Sequence, residues 1–123
     1  MWTIARGSAN TRQVGFVELT AADGTTGLGE SSPSTRYGES VDTVESFCRK
    51  VDSTRLSFDD VTSSMNYLDT VAPGEMSAKC AINLALLDGA AKRAKKSVCD
   101  FLGLGFRENH HVTSFSIGID KPD

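Results

Sequence analysis

The stretch from Cys80 to Ala91 limits the possible folds of this chain more than any other. It is apolar almost all the way round a helical projection, through Ala81, Ile82, Leu84, Leu86 and Leu87, with Asn83 and Asp88 as the main interruptions. A helix without a polar face has to be covered on several sides. The surrounding pattern extends the predicted helix from about Glu75 to Lys95, which makes it the spine of whatever domain forms.

The other elements are read relative to that spine. Residues 13–21 are rich in β-branched and aromatic types and predict a strand. Asp23-Gly24 supplies a hairpin turn, because both residues tolerate positive φ. Thr26 to Glu30 predicts the returning strand, and its glycines at 27 and 29 leave one face bare enough for another backbone to approach. Trp2 to Ser8 predicts one further strand. Val41, Val44, Cys48 and Val51 follow helical spacing, with Ser40 or Asp42 as the cap. Phe58, Val61, Met65 and Leu68 repeat that spacing, with Ser57 as predicted N-cap and Asp60 three residues on. Pro73-Gly74 stops this second helix. Leu102-Gly103-Leu104-Gly105 ends a short helical piece, and Val112 to Ile119 alternates as a last strand with no obvious partner. The expected fold class is α+β: a three-stranded antiparallel meander followed by an antiparallel helical cluster.

At 123 residues the chain holds one domain at most and can bury a real core. A net charge of −3 argues against a nucleic-acid partner. No apolar run reaches membrane-span length and no signal peptide is visible, so no membrane partner is expected. The basic cluster of Lys92, Arg93, Lys95 and Lys96 falls in the last turns of the long helix, where it complements the helix dipole. The three cysteines, Cys48, Cys80 and Cys99, show no CxxC spacing. Cys48 and Cys80 lie in apolar helical phase and read as buried reduced thiols, which points to a cytoplasmic location.

Few residues suggest chemistry. Gly27-x-Gly29 leaves a hairpin strand for a loop containing proline instead of opening a helix, so a dinucleotide loop is not implied. His110 and His111 are adjacent and point to opposite faces of an extended segment, which suits exposed linker residues better than one metal site. No nucleophile motif is present. Glu30 and Glu39 are candidate acids. Asp23 is taken by the turn, and Glu30 could simply tie the loop to the sheet through backbone N–H groups. Arg6 and Arg36 are the sharper signal. Each sits among turn-forming residues, and the two loops are expected at neighbouring ends of the sheet. A guanidinium fork fits a carboxylate with two hydrogen bonds. Each arginine either binds such a ligand or pairs with a local acid such as Glu39.

Ile4-Ala5-Arg6-Gly7-Ser8, Asp23-Gly24, Gly27-x-Gly29-Glu30, Arg36-Tyr37-Gly38-Glu39-Ser40 and the Ala-rich helix through Leu87-Asp88 resemble, in this order, the N-terminal capping domain of the enolase superfamily (mandelate racemase/muconate lactonizing enzyme type). Within that superfamily the sequence is most similar to the bacterial L-Ala-D/L-Glu dipeptide epimerases. The resemblance implies a capping domain over residues 1–105, lacking its first strand. It further implies a linker and first barrel strand over residues 106–123, with the rest of a (β/α) barrel absent. In the family the barrel holds Mg²⁺ on three acids and carries two lysines that move a proton at the substrate α-carbon. Neither set can be matched here, so the resemblance implies no catalytic residue and no metal ligand in this chain, and no activity for the chain alone.

The resemblance implies substrate-binding roles for Arg6 and Ser8 in a first specificity loop, for Arg36 and Tyr37 in a second, and for Ser116 on the first barrel strand. The implied substrate is a small dipeptide such as Ala-Glu. Two alternatives stay open: the cap of a cycloisomerase or dehydratase of the same subgroup, and a non-enzymatic binding or interaction module. A homo-oligomer is also left open.

Overall fold

The structure is a computed structural model and describes residues 2–4 and 7–114. It divides into two compact units, which are described separately. One comprises residues 1–12 and 106–123, the other residues 13–105.

In the first unit, β1 (Trp2–Ile4) pairs antiparallel with β2 (Gly7–Ala9), in the register Thr3 opposite Ser8. In place of the single strand predicted over Trp2–Ser8 there are thus two short strands, paired with each other. Small residues return opposite Trp2-Thr3-Ile4, and the Thr3 and Ser8 hydroxyl oxygens lie 2.9 Å apart across the pair. Phe106 stacks on His111 with ring centroids 4.9 Å apart. His110 and His111 are exposed, as the sequence suggests. The described part of the predicted last strand, residues 112–114, is not a strand, and the remainder lies outside the described residues.

The second unit contains the predicted spine. β3 (Gly15–Thr20) and β4 (Thr26–Ser31) form the hairpin anticipated around Asp23-Gly24. α1 (Val41–Cys48), α2 (Val61–Val71), α3 (Met76–Arg93) and the short α4 (Val98–Phe101) follow. The order of antiparallel strands before a helical cluster is the expected α+β fold. Among the described residues the strands pair two by two, as β1–β2 and β3–β4.

Strand alternation sends Val17, Leu19, Gly27, Gly29 and Ser31 toward α3, and leaves Phe16 and Leu28 exposed on the other face. Gly27 and Gly29 allow the closest approach in the fold. A Cβ at either position would lie inside the carbonyl groups of Ala85 and Ala81, respectively. The small residues of α3 meet the bare strand, and its larger ones, Ile82 and Leu86, join Val44, Phe47, Phe58 and Leu68 in the core. Each such side chain contributes about 1.5–3 kcal/mol on burial.

α3 is less uniformly buried than its sequence implies. Met76, Cys80 and Leu84 recur every four residues on one flank, and all three are exposed. Cys80 is thus not a buried thiol: the sheet and core claim the faces carrying Ala78, Ala81, Ala85 and Leu86, which leaves its flank outside. Lys79 is the opposite surprise. Its side chain is only 5% exposed, and Nζ reaches Asp69 Oδ1 at 2.9 Å.

The N-cap of α2 also differs from expectation. Ser57 Oγ accepts the Asp59 N–H, forming a turn ahead of the helix, and Asp60 Oδ1 accepts the Ser63 N–H at 2.9 Å as the true cap. Ser64, buried between them, donates to the Asp60 carbonyl at 2.8 Å and so holds that turn in place. No described helix is long and apolar enough to cross a membrane.

Candidate functional site

The segment from Ser34 to Ser40 carries the described part of the candidate site. Ser31 ends β4 with its hydroxyl donating to the Gly15 carbonyl at 3.2 Å. Pro33 is buried, and the chain then turns tightly. The Tyr37 and Glu39 N–H groups both reach back to the Ser34 carbonyl, and Thr35–Tyr37 form a single 3₁₀ turn closed by Gly38 in the left-handed region. Ser40 then starts α1 through a reciprocal capping box with Thr43. Arg36 and Tyr37 thus project from a short turn anchored at both ends.

Tyr37 is 72% exposed, and the Arg36 guanidinium carbon lies 5.6 Å from its ring centroid. That contact holds an exposed cation over an exposed ring. Among the described residues Arg36 forms no ion pair, and the local acid proposed as its partner is engaged elsewhere. Glu39 Oε1 accepts the Ser77 N–H at 3.0 Å, at the start of α3. Among the described residues no carboxylate occupies the Arg36 donors.

The other candidates are placed differently. Ser8 is exposed in β2, in the first unit, with its hydroxyl against Thr3. Arg6 and Ser116 lie outside the described residues. Glu30 is exposed in β4, and among the described residues it is the Glu39 carboxylate that accepts a backbone N–H, from Ser77, and so ties loop to scaffold. Asp23 serves its turn as anticipated. Its Oδ1 accepts the Thr25 N–H at 2.9 Å and its other oxygen meets Arg93, which together hold its carboxyl below the usual range.

The basic cluster at the end of α3 has a structural use that helical spacing did not reveal. Arg93 bridges Asp59 at 2.8 Å and Asp23 at 2.9 Å, and lies over the Phe58 ring. Lys92 bonds Asp88 and the Thr26 carbonyl, while Asp88 accepts the Leu28 N–H. These groups cover the outer edge of β4. A cleft of about 590 Å³ opens beside Arg93, between the end of the hairpin and residues 53–59. Its arginine is already neutralised by two carboxylates, and neither Arg36 nor Tyr37 lines it. Among the described residues no three His, Cys, Asp or Glu side chains gather where they could hold a metal ion.

A two-stranded sheet sealed onto an Ala-rich helix, with an exposed Arg-Tyr turn at its rim, defines a capping-type α+β domain. Residues 2–103 match the family described as mandelate racemase / muconate lactonizing enzyme, N-terminal domain, and the chain belongs to that family. It is 56% identical over 125 residues to the L-Ala-D/L-amino acid epimerase of Pedosphaera parvula, covering 99% of this chain and 36% of that protein. It is 34% identical over 127 residues to the L-Ala-D/L-Glu epimerase of Bacteroides thetaiotaomicron, covering 100% of this chain and 32% of that one. The crystal structure of a dipeptide epimerase from Cytophaga hutchinsonii, complexed with Mg and the dipeptide D-Ala-L-Val, superposes with a TM-score of 0.83 at 31% identity, over 98% of this chain and 33% of that one. The chain thus spans about a third of the length of the relatives it matches.

Proposed function

We propose that this chain is the substrate-selecting lid of a dipeptide epimerase. In this reading residues 1–105 are the capping domain and residues 106–123 lead into the first strand of a catalytic barrel. The lid reads the side chain of a small dipeptide, and proton transfer at the α-carbon belongs to the barrel. The chain alone then has no epimerase activity.

The observation that carries the reading is the Arg36–Tyr37 turn. It presents a cation beside an aromatic face, on a scaffold that holds it rigidly from both ends. Such a pair suits a carboxylate or other polar side chain at a dipeptide terminus. Arg6, Ser8 and Ser116 complete the proposed contacts by family match. The relatives named above are all epimerases, and for that reason we prefer epimerisation to cycloisomerisation or dehydration. Their names differ in the second residue of the dipeptide, so acceptance of residues other than Glu is part of the proposal.

The test is a domain exchange. Residues 1–123 replace the corresponding segment of the Pedosphaera parvula epimerase, and α-proton exchange in D₂O is followed over a panel of Ala-containing dipeptides. We expect an active chimera in which Arg36→Ala raises KM for acidic dipeptides by about tenfold, the loss of a charged hydrogen bond. Exchange catalysed by the isolated chain, or a substrate profile indifferent to Arg36→Ala, would overturn the reading.

A further inference from the structure

α3 begins without a cap of its own. Its N-cap residue, Glu75, follows Pro73-Gly74 and is itself in the left-handed region, with φ of 52°, so its side chain makes no capping bond. The Ser77 N–H in the first turn would be left without an intrahelical partner. It is taken instead by Glu39 Oε1 at 3.0 Å, from a residue 38 positions earlier in the chain. A carboxylate is well suited to that place, because the N-terminal end of a helix dipole attracts negative charge.

Glu39 is also the second residue after Tyr37. Its N–H bonds the Ser34 carbonyl at 3.2 Å, closing the same turn that presents Arg36. One residue therefore joins the Arg-Tyr turn to the domain's central helix, by its backbone on one side and its carboxylate on the other. We propose that Glu39 is a positioning residue: by capping α3 in place of Glu75, it fixes where Arg36 and Tyr37 stand relative to a bound ligand. The inference rests on the reading of that turn as ligand-facing. It adds that the turn's placement is set from α3 and not from α1 alone.

The test compares Glu39→Ala, Glu39→Gln and Glu39→Asp with Asp60→Ala, which removes a side-chain cap of the same kind from α2. In the 123-residue chain, trypsin cleavage after Arg36 and amide exchange at Ser77 are mapped by mass spectrometry and NMR. Glu39→Ala is expected to speed both at least tenfold. Glu39→Gln, whose amide oxygen still accepts, should stay within about twofold of the parent, and the shorter Glu39→Asp should fall between them. Asp60→Ala should leave cleavage after Arg36 unchanged.

In the domain-exchange enzyme, Glu39→Ala should raise KM with kcat within twofold, while Asp60→Ala changes neither. Equal effects of Glu39→Ala and Asp60→Ala on Arg36 cleavage would overturn the proposal, as would no effect of Glu39→Ala. Should Glu39→Ala fail to fold, parent-like cleavage in Glu39→Asp would do so too. If Arg36→Ala has no effect in the enzyme while the cleavage and exchange results hold, the ligand reading of the turn fails and the tether stands.

Discussion

Gly29 of β4 lies against the carbonyl of Ala81 in α3 with no room for a methyl group between them. Hairpin and spine meet there through backbone, not side chains, and Gly27 repeats the arrangement one turn along against Ala85. Replacing Gly29 by Ala must push strand and helix apart along this seam. We expect a loss of about 3 kcal/mol or more, at or beyond the upper end for overpacking, because backbone and not a flexible side chain has to move. Phe16→Ala, on the opposite face of the same sheet, should cost under about 1 kcal/mol, since Phe16 is 65% exposed. Denaturant midpoints of the two variants check the contrast. Equal effects would mean the seam is looser than the packing implies.

The end of α3 allows a stabilising change. Lys95 follows the helix with φ of 54°, while its N–H bonds the Lys92 carbonyl and the Lys96 N–H bonds Ala91. This is a Schellman ending, a place where glycine is the residue without a steric penalty. Lys95→Gly should raise stability by about 0.5–1 kcal/mol, with a few tenths lost through removal of a cation near the helix C-terminus. A urea melt reads the change directly, and a lower midpoint would refute it.

What could be read in the sequence follows from what each pattern reports. The bare face of β4 and the covering of α3 were legible because glycine spacing and all-round apolarity speak of backbone approach and burial. The exposure of Cys80 was not, because Ala81, Ile82, Leu84 and Leu86 surround it in the projection and nothing local says which flank the sheet leaves open. Ser57 and Asp60 are both capping types three residues apart, and only the N–H each side chain accepts, Asp59 for Ser57 and Ser63 for Asp60, decides between them. For the site, Arg36 and Tyr37 stood out through their turn-forming neighbours. The use of Glu39 spans 38 positions, beyond any local signal.

Acid sensitivity follows from the caps and turns. Asp60 is held below its ordinary range by the Ser63 N–H, Asp52 by the Thr54 hydroxyl and N–H, and Asp23 by the Thr25 N–H and Arg93. For Asp88, burial opposes ionisation, but bonds from Lys92 and the Leu28 N–H outweigh it and leave the carboxyl lowered. A group whose folded pKa lies below its unfolded value contributes stability that is complete above the unfolded value, about 4 for Asp, and is lost as pH falls through the folded value. Tm should be flat from neutrality to about pH 5 and fall below about pH 4. Asp60→Asn keeps a capping side chain but cannot titrate, so its Tm should fall less steeply between pH 5 and 3 than the parent's. An unchanged slope would remove Asp60 from the account.

Two of the three thiols should separate by reactivity. Cys80 is exposed on the flank of α3 between Met76 and Leu84, whereas Cys48 is half-buried at the end of α1 and burial pushes its thiol pKa up. Attack on a disulfide reagent requires both access and thiolate, so Cys48 is disfavoured twice. At neutral pH Cys80 should be modified at least about tenfold faster than Cys48. Cys80→Ser should abolish that phase without slowing the reaction of Cys48. Peptide mapping after a short pulse of thiol reagent identifies the order. Modification of Cys48 ahead of Cys80 would place the α3 flank under cover in solution, contrary to the exposure of Met76, Cys80 and Leu84.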